Sequence, residues 1–205
     1  MADHKVIIVG GIPCVGKTSI CGHIARKLEI DIMLSTDYLR EFLRSAVSGD
    51  NNYDVLNTSV YDAWKKFGER GRETIVKGYR DQGTIISKGI NSLIERANKN
   101  QESLIIETLY FIPEQMPALK NPNVMPIYIQ VSDSEVYKKM VLERDKFTHP
   151  GQSGERLLHH LDAYRFMADD AVECCRKNGI KVFDNLNYAK TREDIVKCIV
   201  EARQH

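Results

Sequence analysis

The stretch Val6-Ile7-Ile8-Val9-Gly10-Gly11-Ile12-Pro13-Cys14-Val15-Gly16-Lys17-Thr18-Ser19 decides how the rest of the chain is read. A β-branched apolar run gives way to G-x-x-x-x-G-K-T and then to an amphipathic pattern, which is a buried strand, a glycine-bounded loop and a helix start. Such a loop makes an anion site from main chain alone. Its glycines permit positive φ, so that successive N–H groups converge on one phosphate, and the helix adds the positive end of its dipole. Gly11, Ile12, Pro13, Cys14, Val15, Gly16, Lys17, Thr18 and Ser19 are therefore expected to hold the phosphates of a nucleotide. Lys17 is expected to neutralise the outer phosphates, and the Thr18 hydroxyl to ligate Mg²⁺.

Outward from the loop, apolar runs alternate with amphipathic segments, the pattern of a parallel sheet covered on both faces. Strands are predicted at residues 5–9, 30–34, 103–106, 124–131 and 180–183. Helices are predicted at 17–28, 38–47, 133–146, 155–177 and 191–203. Ser35-Thr36-Asp37 offer capping side chains ahead of the second helix. Residues 48–57 read as a polar loop. A helical region from Tyr61 to about residue 98 carries Gly71, Gly78, Gly83 and Gly89, which predict interruptions. Pro150 and Gly151 place a loop at 147–153. A chain of 205 residues suits one domain. The expectation is a single α/β domain over residues 1–205, of the P-loop NTPase type and nucleoside-monophosphate-kinase-like, with a five-stranded parallel sheet. Within it, residues 38–100 form an acceptor-binding helical region and residues 133–156 a small helical lid.

Composition excludes several classes. Lys and Arg number 29 against 28 Asp and Glu, a formal charge of +1, so no global basic field is available for nucleic acid. Cys14, Cys21, Cys174, Cys175 and Cys198 lack metal-ligand spacing and read as apolar thiols of a reducing compartment. No apolar run approaches bilayer length, and the first one breaks at Gly10-Gly11. The chain is expected in the cytoplasm, with a small-molecule partner, no nucleic acid and no membrane; homodimer formation is left open.

In an open parallel sheet, ligands gather outside the C-terminal ends of the strands. After the second strand come Asp37 and Arg40, which share one helix face at spacing i, i+3. Asp37 is expected to orient the attacking hydroxyl as hydrogen-bond acceptor and weak base, and to share the metal with Thr18 and Glu107; its alternative role is a helix cap. Glu107 ends the third strand, where it can hold Mg²⁺ through water or simply face solvent. Arg40 can grip an acceptor anion with its planar fork, or pair with Glu41 or Glu69. Among Lys138, Lys139, Arg144, Lys146 and His149, Arg144 is expected to balance charge at the transferring phosphate, while Lys138 and Lys139 stay solvated. Asn185, after the fifth strand, is expected at the nucleotide. Tyr61, Trp64 and His159-His160 read as packing residues.

With these residues in place, the chain resembles the 2-phosphoglycerate kinase family of archaeal small-molecule P-loop kinases. The resemblance is carried by the phosphate loop, by Ser35-Thr36-Asp37-Tyr38-Leu39-Arg40 and by Thr58-Ser59-Val60-Tyr61-Asp62-Ala63-Trp64. Further matches are Gly78-Tyr79-Arg80-Asp81-Gln82, Leu104-Ile105-Ile106-Glu107 and Val182-Phe183-Asp184-Asn185. It implies Mg²⁺-dependent transfer of the γ-phosphoryl of ATP to an alcohol of a small phosphorylated carboxylic acid. It also implies that Tyr79, Arg80 and Tyr110 join Arg40 around that acceptor. One departure matters. Where such a kinase is expected to follow its strand-three glutamate with a glycine and a histidine, this chain has Glu107-Thr108-Leu109-Tyr110-Phe111-Ile112-Pro113. The corner becomes apolar and aromatic, which suits the methyl-bearing skeleton of mevalonate 3-phosphate, the acceptor of a related branch, in preference to 2-phosphoglycerate. Two other classes fit less well. A guanine switch needs N-K-x-D, and Asn98-Lys99-Asn100-Gln101 lacks the aspartate. A nucleic-acid 5′-kinase needs a basic surface that the charge balance denies.

Overall fold

Five parallel strands form one sheet in the order β2-β3-β1-β4-β5. They are β1 (Val6–Gly10), β2 (Ile32–Ser35), β3 (Leu104–Thr108), β4 (Val124–Gln130) and β5 (Lys181–Asp184). The computed structural model describes residues 4–47, 49–146 and 154–202. The continuous apolar runs occupy the middle: every residue of β1 and β3 is buried, as two covered faces require. β1 pairs with β3 from Val6↔Leu104 to Gly10↔Thr108, and with β4 from Val6↔Val124 to Gly10↔Tyr128. Pro126 lies just ahead of the part of β4 that pairs with β5, which begins at Ile127, so its missing donor costs no bond there.

The helices are α1 (Lys17–Leu28), α2 (Thr36–Ala46), α3 (Arg72–Asn100), α4 (Ser134–Leu142), α5 (Glu155–Leu158), α6 (Leu161–Lys177) and α7 (Tyr188–Glu201). The α/β P-loop architecture expected from the strand–loop–helix pattern is therefore present. Among the described residues, no helix is long and apolar enough to cross a membrane, and the five cysteines are free thiols.

Four local expectations need correction. The helical region does not break at its glycines; α3 is one helix of 29 residues. A Cβ at Gly78 would lie 2.6 Å from the carbonyl carbon of Ala63, and one at Gly83 2.4 Å from Ile112 Cδ1. These glycines let the helix approach its neighbours closely. The supposed polar loop holds a 3₁₀ helix, Asn51–Asn57, followed by a second, Val60–Phe67, which packs against α3. The predicted helix at 155–177 is interrupted at His159-His160, where φ of His160 is −123°. The His160 ring stacks on Tyr61 with centroids 3.8 Å apart. Finally, α7 starts three residues early because the Asn187 side chain accepts from the Lys190 N–H. The predicted loop at 147–153, with His149, lies outside the described residues, as does Ser48.

Candidate active site

The strand ends of β1, β2 and β3 open on one cleft of about 680 Å³. Its floor is the turn between β1 and α1. Gly11 has φ 155° and Gly16 φ 90°, and a Cβ at Gly11 would sit 2.6 Å from the Ile129 carbonyl oxygen. Glycine at these positions avoids both the clash and the strain. Cys14 takes φ 64° between them without that relief. No side chain caps α1, and its first turn holds no acidic residue. Its leading N–H groups are thus left for an anionic ligand.

The loop's own side chains meet internal partners. Lys17 Nζ donates to the Ile12 carbonyl at 3.0 Å, and Thr18 Oγ1 donates to Glu107 Oε1 at 3.0 Å. Glu107 is 7% exposed at the end of β3, facing the cleft and not bulk solvent. Burial pushes the Cys14 thiol up, against the pull of Arg144 and Lys17; a neutral thiol adds no negative charge where phosphates would lie. Pro13, Cys14, Gly16, Lys17, Thr18 and Ser19 line the cleft, whereas Ile12 and Val15 are buried beneath it.

Asp37 stands across the cleft on the first turn of α2. The N-cap is Ser35, so Asp37 does not cap the helix. Behind it, Thr36 Oγ1 donates to Thr108 Oγ1 at 3.1 Å, and Thr108 Oγ1 accepts from the Tyr110 N–H at 2.9 Å. This buried pair ties the start of α2 to the exit of β3. Arg40 also lines the cleft. Its guanidinium donates to the Leu56 carbonyl, to the Thr58 carbonyl at 2.8 Å and to Glu41, while Nε is buried with no partner. The expected pair with Glu41 is present at 3.3 Å.

The opposite rim carries Arg144, on the 3₁₀ turn Arg144–Lys146, and Arg156, on α5. Lys138 and Lys139 are exposed, as expected. In the sequence Arg156 reads as part of one continuous helix over 155–177, and nothing within that helix marks it as a cleft residue. Its only signal is its position just after the Gly/Pro loop. Ser59, Val60, Tyr61, Leu109 and Tyr110 line the remaining wall. Tyr61 therefore reaches the cleft while also packing on His160 and Tyr164.

Three expected contacts are not brought to the cleft. Tyr79 is 1% exposed and its hydroxyl donates to the Leu109 carbonyl at 3.1 Å, so it props the wall from behind. Arg80 is held by Asp170 through Nε and Nη2, both at 3.0 Å, with Glu114 beside it. Asn185 is buried under the phosphate loop, where Nδ2 donates to the Val15 carbonyl at 2.9 Å. It braces the loop from beneath. Tyr110 does line the cleft, and its hydroxyl donates to Gln82 Oε1 at 2.7 Å. Burial raises its phenol above the usual range, which keeps it a neutral donor.

Comparison with known proteins places the chain in a family. The chain is 41% identical over 194 residues to mevalonate-3-phosphate 5-kinase of Thermoplasma acidophilum, covering 95% of each. It belongs to the archaeal P-loop kinase family that includes that enzyme and the 2-phosphoglycerate kinases. A 2-phosphoglycerate kinase from Methanocaldococcus jannaschii is 28% identical over 96% of this chain and 63% of its own length. The chain thus spans under two thirds of that relative and nearly all of the first. No protein-family model matches the chain. A crystal structure of an uncharacterized protein from Eubacterium ventriosum superposes with TM-score 0.52 at 17% identity, over 97% of this chain and 99% of that one; this likeness concerns the fold alone. As a member of this kinase family, the chain is an enzyme that transfers phosphoryl groups.

Proposed function

We propose that this kinase transfers the γ-phosphoryl of ATP to the 5-hydroxyl of mevalonate 3-phosphate in the cytoplasm. The reading is carried by the 41% identity, over almost the whole of both chains, to a protein of that name. The acceptor wall supports it. Leu109, Tyr110 and Val60 offer apolar surface for a methyl-bearing skeleton, and Arg40 and Arg156 offer cations for its carboxylate and phosphate.

Each step follows from the residues in place. The loop amides and the start of α1 receive the β- and γ-phosphates. Lys17 leaves the Ile12 carbonyl and moves its charge to the phosphates. Thr18 and Glu107, 3.0 Å apart, have the oxygen ligands that would hold a divalent cation. Bound there, Mg²⁺ neutralises the charge that grows on the leaving diphosphate. Asp37 accepts a hydrogen bond from the acceptor hydroxyl and aims its oxygen at phosphorus. The new O–P bond forms as the bond to the β–γ bridging oxygen breaks, and the hydroxyl proton passes to Asp37 or to solvent. Arg144 and Arg156 approach the transferring group from the rim of the proposed lid over residues 133–156.

The test is a panel of acceptors with Mg·ATP, read by ADP release and by phosphorus NMR of the product. Mevalonate 3-phosphate is expected to give the highest kcat/KM. The apolar wall is expected to discriminate by about the value of one buried methylene, roughly 10- to 200-fold over 2-phosphoglycerate. Preference for 2-phosphoglycerate, or no turnover of any phosphorylated acid, overturns the reading.

A further inference from the structure

We infer that Gln82, which does not touch the cleft, is a positioning residue for the acceptor: a single buried amide sets the spacing between Arg40 and Tyr110. The inference rests on the proposed acceptor pocket and asks how it is held. Gln82 lies on α3 and is fully buried. Its Nε2 donates at 2.7 Å to the carbonyls of both Val55 and Thr58, and its Oε1 accepts from the Tyr110 hydroxyl at 2.7 Å. Both amide hydrogens and one lone pair are used. The Thr58 carbonyl also receives Arg40, at 2.8 Å.

Two segments thus meet directly on this side chain, the strip from Val55 to Tyr61 and the exit of β3 through Tyr110, and α2 joins them through Arg40 at the shared Thr58 carbonyl. Ser59, Val60 and Tyr61, which continue that strip, line the cleft themselves. Tyr79, one turn earlier on α3, repeats the device. Its hydroxyl donates to the Leu109 carbonyl and accepts from the Phe111 N–H at 3.1 Å, fixing the main chain on either side of Tyr110. Its ring lies nearly parallel to that of Tyr110, with centroids 6.0 Å apart. Buried polar groups joined this way hold one geometry, because any shift leaves a donor or acceptor unpaired in a dry site. Phosphoryl transfer is sensitive to such shifts, since a misplacement of about 1 Å can cost about a hundredfold.

The experiment combines Gln82→Met, which keeps length and removes both hydrogen-bonding functions, with Tyr110→Phe and the double variant. KM for acceptor, KM for ATP and kcat are measured alongside thermal unfolding. The acceptor used is whichever one the wild-type enzyme turns over best. If that is 2-phosphoglycerate, the substrate reading falls while this test runs unchanged. Gln82→Met is expected to lower kcat/KM for the acceptor about tenfold or more, with KM for ATP within about twofold of wild type. The double variant is expected to be no worse than the poorer single one, since both act through the same link. Multiplying losses, equal shifts in both KM values, or a lowered melting temperature with unchanged acceptor KM each assign Gln82 to packing alone and overturn the inference. Should Gln82→Met not fold, Tyr110→Phe decides: an unchanged acceptor KM overturns the inference, and a raised one supports it.

Discussion

Two alanine substitutions in α3 are expected to move stability in opposite directions. Both Gly78 and Gly89 lie inside this helix, where glycine costs roughly 0.5–1 kcal/mol relative to alanine. At Gly89 an added Cβ meets nothing within 4 Å, so Gly89→Ala keeps the whole of that gain. At Gly78 the same methyl would lie 2.6 Å from the Ala63 carbonyl carbon and 2.7 Å from the Trp64 nitrogen. Carbon atoms sit comfortably at about 3.5–4.0 Å, so the overlap approaches an ångström. The obstacle is backbone, which cannot swing aside as a side-chain tip can. Overpacking of this kind costs about 1–3 kcal/mol. The helix-propensity gain is common to both variants, so the overpacking cost is the difference between them. For a domain of this size it separates their melting temperatures by roughly 2–12 °C. Circular dichroism melts in one buffer measure it. The displaced segment carries Val60 and Tyr61, so Gly78→Ala is also expected to raise KM for the acceptor, and Gly89→Ala is not. If Gly78→Ala melts at or above wild type, α3 does not rest on the Val60–Phe67 segment as described.

Three further outcomes are expected. Asp37→Asn lowers kcat by roughly 10²–10⁴ with little change in KM for ATP, if the acid acts on the acceptor hydroxyl as proposed; steady-state kinetics with either substrate varied checks this. Arg156→Ala lowers kcat/KM about tenfold or more while the fold is retained, since its side chain is exposed at the rim and its proposed role is a charge-assisted contact with substrate; an unchanged kcat/KM removes Arg156 from the site. His160 is held below its usual pKa of 6.5 by burial, with Arg70 adding to the shift and Asp62 opposing it. The unfolded chain therefore takes up the proton more readily than the folded one. Its contribution is fully present above the unfolded value and is lost as pH falls from there toward the folded pKa. Urea unfolding between roughly pH 7.5 and 5 is expected to show this slope, and His160→Phe, which keeps a ring on Tyr61, to flatten it.

The phosphate loop and its strands were legible because their signal is local: a β-branched run, fixed glycine spacing and the Lys-Thr pair lie within fourteen residues. Asp37 and Glu107 followed from one topological rule, that strand ends face the ligand. The rest depended on distant partners. Arg80 reads as a free cation until Asp170, ninety residues on, takes it. Tyr79 reads as an acceptor contact until the main chain beyond β3 folds over its hydroxyl. The α3 glycines carry the same composition signal whether they break a helix or let it approach a neighbour; only the second 3₁₀ segment against them decides. Arg156 was hidden for the opposite reason, since the break at His159-His160 that turns α5 toward the cleft leaves no proline or glycine to mark it.

The Asn185 brace has a consequence for the order in which competence appears. The loop that must hold a triphosphate rests on an amide 170 positions downstream of the carbonyl it supports. During synthesis, β1, α1 and even the acid on α2 emerge long before that amide does. A nascent chain halted before β5 would hold Lys17, Asp37, Glu107 and both rim arginines and still lack the strut beneath the loop. Ribosome-bound fragments that stop before β5 are therefore expected to bind nucleotide more weakly than the chain that includes it.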